Sequence, residues 1–96
     1  MKSKRDVLGI LNALCVNVSV LEHQHVPEER RKVIRENVNY LYARADEMGI
    51  PFIIQNSATK AGFDHDLRIA YLDRALVQVY MQAEQWLSQI GESHAV

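Results

Sequence analysis

The chain has one cysteine, Cys15, and a thiolate is both a nucleophile and a metal ligand. Cys15 stands in an apolar stretch, where burial raises a thiol pKa and leaves the sulfur inert. A lone cysteine forms no intrachain disulfide, as expected for a reduced thiol in the cytoplasm. The spacing supports neither a Ser-His-Asp nor a Cys-His arrangement, and the sequence has no glycine-rich phosphate loop. We therefore predict no catalytic residue, no cofactor and no enzymatic activity.

Two histidine-containing segments have the residue types of a metal site. One spans residues 22–25 and contains His23 and His25, and the other is Asp64-His65-Asp66. In a helix, residues two apart point to different sides, so His23 and His25 share an ion only if the chain is extended there. Helix capping explains the two aspartates without any metal. We predict no metal site.

A basic cluster opens the second predicted helix and has the chemistry of an anion site. Arg30, Arg31 and Arg35 supply guanidinium groups, and Tyr42 supplies a ring on which a base could stack. Interspersed glutamates dilute this charge, and the net charge of −1 gives no overall attraction to nucleic acid. Binding of a nucleotide or nucleic acid is therefore the alternative function.

The last predicted helix, over residues 65–90, gives the strongest indication of a binding surface. Its apolar residues recur in steps of three and four, and we expect the other helices to cover this stripe. Outside the stripe the helix is rich in glutamine and poor in charge, and interface cores are likewise depleted in charge and enriched in Trp, Tyr and Met. The alternative is a core helix with an amide-rich outer side. We predict that Trp86 is the main anchor of this surface, because aromatic anchors dominate interfaces. The residues predicted to bind a partner are Tyr80, Met81, Gln82, Gln85, Trp86 and Gln89.

Helices are predicted along most of the chain. Apolar spacing predicts one over residues 3–24, although alternation from Val16 to Val20 leaves a strand as a rival. A second helix is predicted over 27–48, opened by Pro27 and ended by Gly49 in a left-handed conformation. The remaining segments are a short helix or extended piece over 51–61, the long helix over 65–90 capped by Asp64, and a polar tail over 91–96.

These elements predict an all-α fold, a small antiparallel bundle of three long helices and one short helix, in a single domain. Lys2, Lys4 and Arg5 precede an apolar run that superficially resembles a signal peptide. Polar residues interrupt that run, and it is shorter than the ~20 residues of a membrane span. We therefore interpret it as a buried helix, and we expect a cytoplasmic protein without a membrane partner.

The composition is 48% hydrophobic, which leaves apolar surface beyond the needs of a core this small. We therefore predict a non-enzymatic regulatory or adaptor module that acts through protein–protein interaction. Its partner would be another copy, giving a homo-oligomer, or a larger protein. A structural subunit of a larger assembly is a third interpretation, which shares the predicted interface.

Overall fold

The computed structural model describes residues 3–66 and 72–94, with the side chains of the last helix described from Arg74 to Ile90. These residues form four helices and no strand: α1 (Lys4–His23), α2 (Glu28–Glu47), α3 (Phe52–Asp64) and α4 (Leu72–His94). The predicted all-α class is confirmed. The strand alternative at residues 16–20 is wrong, because those residues lie inside the continuous helix α1. The extended alternative after Pro51 is also wrong, because α3 begins at the next residue.

Two helix ends follow local signals in the sequence. At the start of α1, the Ser3 hydroxyl accepts a hydrogen bond from the Asp6 backbone nitrogen at 3.0 Å. At the end of α2, Gly49 has a φ of 73°, the left-handed conformation that glycine adopts without a steric penalty. The nitrogens of Gly49 and Ile50 donate to the carbonyls of Asp46 and Ala45, so the turn satisfies two carbonyls at the end of the helix.

The connection between α3 and α4 differs from the prediction. Asp64 is the last residue of α3 rather than the cap of the next helix, and His65 is extended, with its nitrogen bonded to the Ala61 carbonyl. Gly62, a plausible helix terminator, lies inside α3. Helix α4 is described from Leu72 to His94, so residues 91–94 are helical where a tail was predicted. The helix start predicted at residue 65 is wrong, because His65 and Asp66 are not helical, and Ile69 of the predicted stripe lies outside the described residues.

Helix α1, rather than α4, is the element around which the others pack. It contacts α2, α3 and α4, whereas α2 and α4 do not contact each other within the described ranges. Five side chains of α1 are completely buried: Val7, Leu11, Leu14, Cys15 and Ser19. The other helices contribute Leu41 and Ala45 from α2, Ile54, Ala58 and Ala61 from α3, and Val79 and Ala83 from α4.

Small residues bring α1 and α3 unusually close together. A Cβ atom added to Gly62 would lie 3.1 Å from the Ser19 backbone nitrogen and would overlap the Cys15 carbonyl. Polar side chains of α1 meet the end of α3. Ser19 Oγ donates to the His65 carbonyl at 2.9 Å, and His23 Nε2 bonds the Phe63 carbonyl at 2.8 Å. The carbonyls at this helix end therefore gain partners from a neighbouring helix.

Polar side chains form hydrogen bonds between α2 and the helices α1 and α3. Arg31 Nη1 donates to the Leu21 carbonyl at 2.8 Å, and Asn37 Nδ2 donates to Asn17 Oδ1 at 3.2 Å. The buried Gln55 of α3 ties that helix to the end of α2, since its Nε2 donates to Asp46 Oδ1 at 2.9 Å and to the Ile50 carbonyl at 2.8 Å.

Within the described part of the chain, α1 is also the one helix long and apolar enough to cross a membrane by length and composition. The core helix of a soluble protein passes the same test, and so does a signal sequence.

Candidate functional site

Between Arg74 and Ile90, the exposed side of α4 carries few charged residues. Val77 and Met81, one turn apart, are 51% and 55% exposed. We define the α4 outer face by the exposed uncharged residues of this helix: Val77, Gln78, Met81, Gln82, Gln85, Ser88 and Gln89. The exposed charged residues among the described side chains of α4 are Arg74 and Glu84, and Glu84 lies 3.3 Å from Lys4 in an ion pair. The face thus combines apolar side chains with neutral amides.

The structure divides the six predicted partner-binding residues into two groups. Met81, Gln82, Gln85 and Gln89 are exposed and belong to the α4 outer face. Trp86 and Tyr80 are half-buried, and Trp86 packs against the hydrophobic core. Burial raises the pKa of the Tyr80 phenol, with a further contribution from Cys15. The predicted anchor therefore supports the fold through at least part of its indole ring.

The predicted anion-binding residues are largely engaged with other groups of the chain. Arg35 Nη2 lies 2.7 Å from Glu28 Oε1, and Arg31 lies 3.8 Å from the same carboxylate while also donating to a carbonyl of α1. The hydrogen bond and charge of Arg35 lower the pKa of Glu28. Tyr42 is half-buried and packs against the core, whereas Arg30 is exposed. Anion binding at these four residues stays a prediction.

Cys15 is completely buried, and this burial raises the pKa of its thiol. The two histidine-containing segments do approach each other, because His23 bonds the Phe63 carbonyl next to Asp64. Among the described residues, however, no three side chains of His, Cys, Asp or Glu are grouped so as to hold a metal ion.

Sequence reasoning missed a second exposed apolar region, on α3. Phe52, Ile53 and Phe63 all expose more than half of their surface, and Ile53 is 74% exposed. The two exposed charges of this helix, Lys60 and Asp64, lie 3.8 Å apart. The sequence did contain a signal, since the apolar spacing at residues 50, 54, 58 and 61 places these three large side chains off the buried side.

A groove of about 200 Å³ runs between α3 and α4. Ser57, Lys60 and Asp64 line it from α3, and Gln78 and Gln82 line it from the α4 outer face. The exposed sides of the two helices are therefore neighbours.

Comparisons with protein-family models, with curated proteins and with solved structures gave no match to this chain.

Proposed function

We propose that this protein is a non-enzymatic regulatory or adaptor module that binds another protein chain through the α4 outer face. The supporting observation is the chemistry of the exposed residues. Nine of the described α4 side chains are exposed, and two of those nine are charged. In α2, fourteen residues are exposed and nine of them are charged.

This difference in charge matters because a partner must remove the surface from water. Burying an unpaired amide costs roughly 1–3 kcal/mol, whereas an unpaired charge costs several kcal/mol even after relaxation. Glutamine also donates and accepts hydrogen bonds, so an opposing backbone or amide can satisfy it. Met81 and Val77 would supply the apolar contact in the middle of such an interface.

We infer that the scaffold behind this face is an antiparallel bundle of three long helices and one short one. The helices contain 20, 20, 13 and 23 residues in chain order. Arg31 bonds Leu21 and Asn37 bonds Asn17, which supports opposite directions for α1 and α2. Lys4 pairs with Glu84, and the more C-terminal Cys15 acts on the more N-terminal Tyr80, which supports the same relation for α1 and α4. Such a bundle would hold the face in a fixed shape.

Site-specific photo-cross-linking in the host cell tests the proposal. A photoactivatable residue placed at position 81 should give a discrete cross-linked protein species, because a partner covers that position. The same residue at position 33 is the matched control, since Val33 is 63% exposed but lies on the charged side of α2. Equal cross-linking at both positions, or none at position 81, would contradict the proposal.

A further inference from the structure

We draw no further inference here: the strongest candidate, the exposed apolar and amide surface that α3 and α4 form on the two sides of their groove, carries no proposal because nothing in the structure shows what covers it.

Discussion

Helices α2 and α4 both pack against α1, but they present different chemistry to solvent. The exposed residues of α2 are mostly charged, and several are paired within the helix, as in the contacts of Arg31 and Arg35 with Glu28. The exposed residues of α4 between Arg74 and Ile90 are mostly amides and apolar groups. Exposure alone therefore does not distinguish a solvated side from a binding surface. The free energy of removing each side from water differs, and for this reason we propose the α4 outer face as the binding surface.

Helices α1 and α3 approach each other closely at Gly62, and a substitution there gives the largest predicted effect. Gly62→Ala would place a methyl group against the Cys15 carbonyl and the Ser19 nitrogen, which are backbone atoms that cannot easily move aside. We expect a loss of about 3 kcal/mol in the free energy of unfolding, measured with urea.

Gly9→Ala is the matched control in the same fold, because nothing lies within 4 Å of a Cβ added at Gly9. Alanine at this exposed helical position should raise stability by about 0.5–1 kcal/mol. Similar effects from the two substitutions would show that α1 and α3 do not rely on close approach.

Substitutions on the core side and on the outer face of α4 should change the free energy of unfolding by different amounts. Trp86→Ala should lower the free energy of unfolding by about 2 kcal/mol, because the half-buried ring packs against the core. Met81→Ala, on the outer face, should cost below about 0.5 kcal/mol. If Trp86→Ala leaves unfolding unchanged and weakens association instead, the sequence-based view of Trp86 as the main interface anchor is correct.

The packing of α2 against α1 should be sensitive to the loss of the hydrogen-bond donor of Arg31. Arg31→Ala removes the hydrogen bond to the Leu21 carbonyl at the end of α1, and we expect a loss of about 1 kcal/mol in stability. Arg30→Ala, at the exposed neighbouring position, should change stability little. Equal losses in thermal or urea unfolding would indicate a general charge effect rather than this hydrogen bond.

The smallest predicted effect concerns Glu28, whose pKa is lowered by Arg35. A lowered pKa means that the pair stabilises the fold above the ordinary carboxyl pKa, and that this contribution disappears as pH falls through the lowered value. Because the group is on the surface, we expect only a slight difference in acid-side melting temperature between the native chain and Arg35→Ala. High salt should remove that difference, and a large salt-resistant difference would contradict a surface pair.

The sequence predicted those parts of the fold that depend on local chemistry. Pro27 and Gly49 bracket α2 as expected, because proline suits the start of a helix and glycine suits a left-handed turn after it. Asp64 was misplaced because an aspartate before an apolar stretch has the pattern of a cap, whereas the actual helix end depends on contacts with Ser19 and His23 of α1. Such contacts join residues about 40 positions apart and leave no local signal.

The candidate site was predictable in composition but not in geometry. The glutamine-rich spacing of α4 predicted one surface of six residues, and four of them, Met81, Gln82, Gln85 and Gln89, are exposed. The spacing alone could not show that Trp86 faces the core, since that depends on the side from which α1 approaches. Ile53 was overlooked because its helix was itself uncertain, and exposure cannot be assigned until an element is known.

The most direct test measures whether the α4 outer face is covered in the cell. Two probes, Met81→Cys and Val33→Cys, each add one cysteine to the chain and would be labelled with a membrane-permeant maleimide in the host, while the buried Cys15 with its raised pKa stays unreactive. We predict slow labelling at position 81, rapid labelling at position 33, and equal rates after denaturation. Equally rapid labelling at both positions in the native protein would contradict the account.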